Sequence, residues 1–84
     1  MKKYVLVFDK KIIKQLKKTD ENNKIILSKK FDKLENLGPK AGKLIDSRFH
    51  IYQIKLKSPP LRLYYTYEAR ARKIKVFEFE MKKL

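Results

Sequence analysis

Residues 51–67 read IYQIKLKSPPLRLYYTY, and the alternation in this stretch decides the fold. Tyr52, Ile54 and Leu56 fall on one parity, and Gln53, Lys55 and Lys57 on the other. After Ser58-Pro59-Pro60 the pattern resumes, with Leu61, Leu63, Tyr65 and Tyr67 set against Arg62, Tyr64 and Thr66. A period of two with one apolar parity is the mark of a strand with one buried face. Two such runs around a proline-containing turn read as a hairpin. The polar parity aims three cations, Lys55, Lys57 and Arg62, from neighbouring strands at one patch. Like charges opposite one another on paired strands repel, and an anion between them relieves that repulsion.

The reading extends outward from this hairpin. Residues 73–81 predict a further strand, with Phe77, Phe79 and Met81 on the parity expected in the core and Ile74, Val76, Glu78 and Glu80 on the other; EARAR, residues 68–72, is the turn before it. On the N-terminal side, residues 44–57 read as one long strand. Upstream of that, Gly38-Pro39 stops a helix, since glycine suits the position just past a helix end and proline cannot continue one. That helix begins at Thr19-Asp20 and carries Ile26, Leu27, Phe31 and Leu34 as its apolar stripe. A shorter helix, KKIIKQLKK after a capping Asp9, turns Ile12, Ile13 and Leu16 inward. Residues 2–8, KKYVLVF, suit a strand. The order β-α-α-β-β-β predicts an α+β fold, a helical hairpin packed on one face of a mainly antiparallel sheet. Two helices cover one face only, so the face with Gln53, Lys55, Lys57 and Arg62 is left open, and Tyr64 shares Arg62's parity.

Composition bounds what such a sheet can do. The chain has 84 residues, 43% of them hydrophobic, with five tyrosines and five phenylalanines. That suffices for one core, and residues 1–84 are expected to form a single domain. There is no cysteine, which rules out disulfides and thiolate metal sites. No apolar run approaches a membrane helix, and Tyr4–Phe8 is too short for a signal peptide; the expectation is a cytoplasmic protein complete at its N-terminus. The net charge is +14. Nucleic acid is the usual partner for such a charge; a membrane surface needs a basic amphipathic helix with large apolar anchors, and solubility alone is the bland alternative. The excess is concentrated in the sheet half: residues 38–77 hold ten basic residues against Asp46 and Glu68.

Several chemistries are missing. His50 is the sole histidine, so neither a histidine pair nor a convergent metal set can form within one chain, and no metal or other cofactor is expected. GPKAGK, residues 38–43, lacks P-loop spacing. Glu78 and Glu80 are better suited to pair with cations than to act as a glycosidase pair. Arg70 and Arg72 sit in a turn and read most simply as solvated. What remains is a basic face with tyrosines, able to bind RNA or DNA phosphates and stack on bases. Such a face can also cleave RNA, because clustered cations stabilise a pentacoordinate phosphate and crowding by cations suits a lysine to act as a base. An ordinary solvated strand face remains the alternative for Lys55, Lys57 and Arg62.

The segment Tyr52-Gln53-Ile54-Lys55-Leu56-Lys57, the Ser58-Pro59-Pro60 turn, Leu61-Arg62-Leu63-Tyr64-Tyr65 and the final strand Ile74 to Met81 together resemble the core of the RelE-like toxins of the RelE/ParE toxin–antitoxin superfamily. The upstream strand, helical hairpin and KLIDSRF segment also fit, so the resemblance covers nearly the whole chain. It implies a type II toxin that cleaves mRNA at the ribosome as a metal-independent endoribonuclease (an mRNA interferase) and so inhibits translation. ParE-type members instead poison DNA gyrase. It also implies a cognate antitoxin as partner, the toxin being monomeric when free. Carried over by position, Lys55 is the proton-transfer group, Arg62 the phosphate stabiliser and Lys57 a substrate contact. Gln53 stands where ribosome-dependent nucleases often carry another lysine, so one cation is missing. After the last strand the family's arginine and tyrosine are expected; the chain ends EMKKL, leaving Lys82 or Lys83 to replace the arginine and nothing to replace the tyrosine. A member that binds without efficient cleavage, or a plain basic RNA-binding module, are the alternatives.

Overall fold

The structure, a computed structural model, describes residues 3–57 and 60–81. Strand β1 (Val5–Phe8) leads into helices α1 (Lys10–Lys18) and α2 (Glu21–Leu37), a single 3-10 turn (Gly38–Ala41), and strands β2 (Lys43–Asp46), β3 (Ile51–Lys57), β4 (Pro60–Glu68) and β5 (Lys73–Met81). The five strands form one sheet in the order β1-β5-β4-β3-β2. Only β1 and β5 run parallel, as expected of strands joined by a long crossover; the other three pairs are antiparallel.

Local chemistry sets the helix boundaries. Asp9 is extended and its carbonyl accepts the first helical bonds, from the N–H groups of Ile12 and Ile13 at 3.0 and 3.2 Å; its carboxylate makes no cap. Thr19 returns to extended backbone, and its hydroxyl donates to Gln15 O at 2.7 Å. This leaves a two-residue turn before α2, close enough to make the helices a hairpin. Lys17 and Lys18 lie in the last turn of α1, where cations suit the helix dipole. At the far end of α2, Gly38 adopts φ 70°, and a Cβ there would lie 2.3 Å from the Tyr4 ring. Glycine is required both by the left-handed backbone and by that ring.

The core joins both layers. Ile12 of α1 and Leu27 and Leu34 of α2 are buried against Ile54, Leu61, Leu63, Tyr65, Ile74, Val76 and Phe79 of the sheet. Phe8 and Phe31 meet edge-to-face at 4.9 Å, tying β1 to α2. Ile13, expected inside, is 45% exposed, because only one side of this short helix meets the sheet.

Two features depart from the expected layout. The segment 44–57 is not one strand but two, β2 and β3, paired antiparallel. The Asp46 carboxylate accepts the N–H groups of Arg48 and Phe49 at 2.9 and 3.4 Å, and His50 takes φ 53°. Asp and His are among the side chains that favour such turns. The second departure is a bulge in β5: Tyr64 pairs with Glu78 but Tyr65 with Val76, leaving Phe77 as the extra residue. Ile74 and Val76 are buried before the bulge and Phe79 after it. The two halves of β5 have apolar parities out of phase, and one inserted residue lets both face the helices. Phe77 is therefore outside the core; its ring lies 6.4 Å from that of Tyr64 on the open side of the sheet.

Tyr65 anchors the link between helices and sheet. Its ring is fully buried and stacked on Tyr52 at 5.4 Å, and its hydroxyl donates to Pro39 O at 2.9 Å. Burial pushes the phenol up to about 12 from its usual 10. An acid whose folded pKa is raised deprotonates first in the unfolded chain, so stability falls as pH rises from about 10 toward 12. Tyr65→Phe is expected to flatten that alkaline loss while lowering stability near neutrality by about 1 kcal/mol. Urea unfolding at stepped pH measures both.

Candidate nucleic-acid interface

The pairing registers assemble the open face from rows of side chains. Lys55 stands opposite Arg62, and Arg62 opposite Glu80, so one row crosses β3, β4 and β5. The next row runs Lys43, Gln53, Tyr64, Glu78 across β2 to β5. Lys57 is level with Pro60 at the end of the hairpin where β3 passes into β4. Residues directly opposite in adjacent strands point to the same side, so these registers place all of them on one face. The helices pack on the other.

Within these rows the contacts are specific. Gln53 Nε2 donates to Tyr64 Oη at 3.3 Å, holding the phenol beside the cations, with Phe77 on its far side. Lys55, Leu56, Lys57, Pro60, Leu61 and Arg62 line a cleft of about 210 Å³. Lys55 and Lys57 are exposed and Arg62 is half-buried. Among the described residues none of these three cations forms an ion pair. Glu78 is engaged instead by Lys11 of α1 at 3.4 Å, over the edge of β5 that β1 leaves uncovered. Three cations around a small cleft, with no carboxylate paired to them among the described residues, can take an anion of phosphate size.

The structure thus brings Gln53, Lys55, Lys57, Arg62 and Tyr64 together. It also puts Glu78 and Glu80 on the same face. Lys82, Lys83 and the Ser58-Pro59 part of the turn lie outside the described residues. His50, Arg70 and Arg72 are exposed at the opposite end of the sheet, since the turn at Ala69–Arg72 follows the far end of β4. Lys43, level with Gln53, escapes the periodicity reading because that reading takes residues 44–57 as one strand, although clean alternation runs only from Tyr52 to Lys57. The Asp46-Ser47-Arg48 sequence is the one signal of a turn there. Phe77 escapes because a bulge leaves parity ambiguous until the partner strand is known. Among the described residues no three histidine, aspartate or glutamate side chains converge as a metal set, and no helix is long and apolar enough to cross a membrane.

Comparison with solved structures gives the fold its relatives. The chain superposes on the crystal structure of the isolated E. coli RelE toxin with a TM-score of 0.79 and 27% identity, covering 96% of this chain and 86% of that one. The intact E. coli RelBE toxin–antitoxin complex matches with a TM-score of 0.78 and 26% identity, over 96% of this chain and 99% of that one. A substituted E. coli RelE in complex with an antitoxin RelBc peptide matches at 0.74 and 27% identity, over 96% and 85%. No protein-family model and no curated protein matches the chain. The chain has a RelE-like toxin fold.

Proposed function

We propose that this protein is the toxin of a toxin–antitoxin pair and that it inhibits translation by cleaving mRNA on the ribosome. The observation that carries the reading is the in-register pair Lys55–Arg62, flanked by Lys57 around an open cleft without an ion-pair partner, on a RelE-like fold. In this reading the scissile phosphate sits in the cleft. Lys55 takes the proton from the adjacent 2′-hydroxyl, the 2′-oxygen attacks phosphorus, the bond from phosphorus to the 5′-oxygen breaks, and Lys55 returns the proton to that leaving oxygen. The products are a 2′,3′-cyclic phosphate and a 5′-hydroxyl. Arg62 offers a planar fork of N–H donors to the pentacoordinate phosphate, whose negative charge grows in the transition state. Lys57 and Tyr64 hold the flanking backbone and base, and Gln53 sets the position of Tyr64. Lys82 and Lys83 follow β5 in sequence and belong to the same proposed substrate-binding set. The intact E. coli RelBE toxin–antitoxin complex and the E. coli RelE complex with a RelBc peptide support a cognate antitoxin as this protein's partner.

The test is induced expression in cells followed by mapping of mRNA 5′ ends. New ends within translated frames, bearing 5′-hydroxyls and vanishing when ribosomes are kept off the message, are expected. Growth arrest with DNA damage that depends on gyrase, and no new mRNA ends, would replace this reading with a gyrase-directed one.

A second reading, binding with weak cleavage, is favoured by Glu80. It stands directly opposite Arg62 on the reactive face, where a carboxylate opposes an incoming phosphate. Glu80→Gln is expected to tighten RNA binding about two- to fivefold, the range of an exposed charge pair. Titration of a 2′-O-methyl RNA at fixed ionic strength measures it. An unchanged affinity would remove Glu80 from the account.

A further inference from the structure

Beside the cleft lies a second depression that the proposed reaction does not use. It holds about 460 Å³, and its walls carry Lys30, Lys33, Lys43 and Lys55, with Gly42 and Leu56 between them. Among the described residues no carboxylate lines it, and none of the four lysines makes an ion pair. Lys30 and Lys33 are one turn apart on α2 and so share a face. Lys43 opens β2 opposite Gln53. Because β2 pairs only as far as Gln53, the outer edge of β3 from Ile54 to Lys57 carries no neighbouring strand. The groove passes over that bare edge, from the helix-covered side to the open face. It meets the cleft directly, since Lys55 and Leu56 line both.

The groove wall is rigidly mounted. A Cβ on Gly42 would lie 2.5 Å from Gln53 O and 2.6 Å from Tyr65 Oη, so the backbone before Lys43 sits flat against β3. Tyr65 in turn grips Pro39 O. A different lysine cluster, Lys10, Lys14 and Lys18 on α1, lines a depression on a single helix and shares no residue with the cleft. Of these two lysine-lined depressions, one is continuous with the cleft and the other is separate from it.

We propose that the groove is a track for the sugar-phosphate backbone of the same RNA strand whose scissile phosphate occupies the cleft, with Lys43, Lys33 and Lys30 taking successive phosphates to one side of it. The inference rests on reading the cleft as an RNA site and extends it: recognition reaches several nucleotides from the cut and is independent of base sequence, because lysines on phosphates carry no sequence information.

The experiment uses fluorescence anisotropy with 2′-O-methyl RNA of three and of nine nucleotides, titrated at several salt concentrations. The proteins compared are the wild type, Arg62→Ala, the triple variant Lys30→Ala/Lys33→Ala/Lys43→Ala, and the charge-matched control Lys10→Ala/Lys14→Ala/Lys18→Ala. The wild type is expected to bind the longer RNA about tenfold or more tighter, and the triple variant to lose that gain with a salt slope shallower by about 2. The control keeps the gain. Arg62→Ala weakens the three-nucleotide RNA yet retains the gain with length, which separates track from cleft. The proposal is overturned if the triple variant keeps the length gain, or if the control loses as much, which would make the effect one of net charge. It is also overturned if the triple variant self-associates in sedimentation with unchanged RNA affinity, since the lysines would then serve only to guard a bare strand edge. Binding of neither RNA by the wild type defeats the cleft reading and the track with it.

Discussion

Arg62→Ala is expected to lower the rate of ribosome-dependent mRNA cleavage by about 10²- to 10³-fold, the usual loss when one preorganised donor to a developing oxyanion is removed. Arg62 lies in the middle strand of the row Lys55–Arg62–Glu80, flanked on both sides by in-register partners. Arg62 is half-buried, which narrows the side-chain freedom lost when the guanidinium meets the phosphate of the proposed substrate. The fold should hardly notice the change. Alanine removes a like charge opposite Lys55 and an opposite charge facing Glu80, two small terms of contrary sign, and stability is expected to stay within about 0.5 kcal/mol of wild type. Arg62→Lys should recover only part of the activity, because an ammonium cannot offer two parallel donors to one phosphate. Single-turnover cleavage on programmed ribosomes, with a thermal melt of the same preparations, reads all three expectations. A variant that cuts at the wild-type rate would sink the assignment of Arg62.

Gly42→Ala carries the largest expected effect on stability. An added methyl would meet the backbone oxygen of Gln53 at 2.5 Å and the Tyr65 hydroxyl at 2.6 Å. Neither can step aside: one belongs to a paired strand and the other to a fully buried ring already bonded to Pro39 O. The backbone entering β2 must lift off β3, with a loss of about 2–4 kcal/mol from overpacking and a weakened buried hydrogen bond. For a domain of this size that lowers Tm by roughly 10–20 °C. Gly42 has ordinary extended backbone, so the loss comes from space alone, unlike Gly38, where φ 70° adds strain. Calorimetry checks the size, and a melt within a degree or two of wild type would show that the approach of β2 to β3 is looser than the structure has it.

The open face was readable because a strand's period of two leaves little freedom. Once Tyr52, Ile54, Leu56, Leu61, Leu63 and Tyr65 are assigned to a core, Gln53, Lys55, Lys57, Arg62 and Tyr64 must share the opposite side. The β5 parities were harder. Ile74 and Val76 compete with Phe77, Phe79 and Met81 for the inner face, and no rule internal to residues 73–81 tells that Ile74 and Val76 share it with Phe79 through a bulge that turns Phe77 out. The turn after Asp46 was missed for a different reason: the clean alternation of Tyr52 to Lys57 was extended back to residue 44, across the polar run Asp46-Ser47-Arg48 where the chain reverses.

The chain's own pattern determined the β-α-α order, the helical hairpin, the alternating β-hairpin and its basic face, since each follows from periodicity and from stop signals such as Gly38-Pro39 that act over a few residues. Tertiary structure decided what depends on a partner strand. It set the bulge that turns Phe77 to the open side, the register that stands Glu80 opposite Arg62, and the short β2 that leaves Ile54–Lys57 a bare edge. Register is a relation between segments distant in sequence, chosen by which apolar sets can share one core. A cationic groove joining Lys30 to Lys55 can arise only once that choice is made.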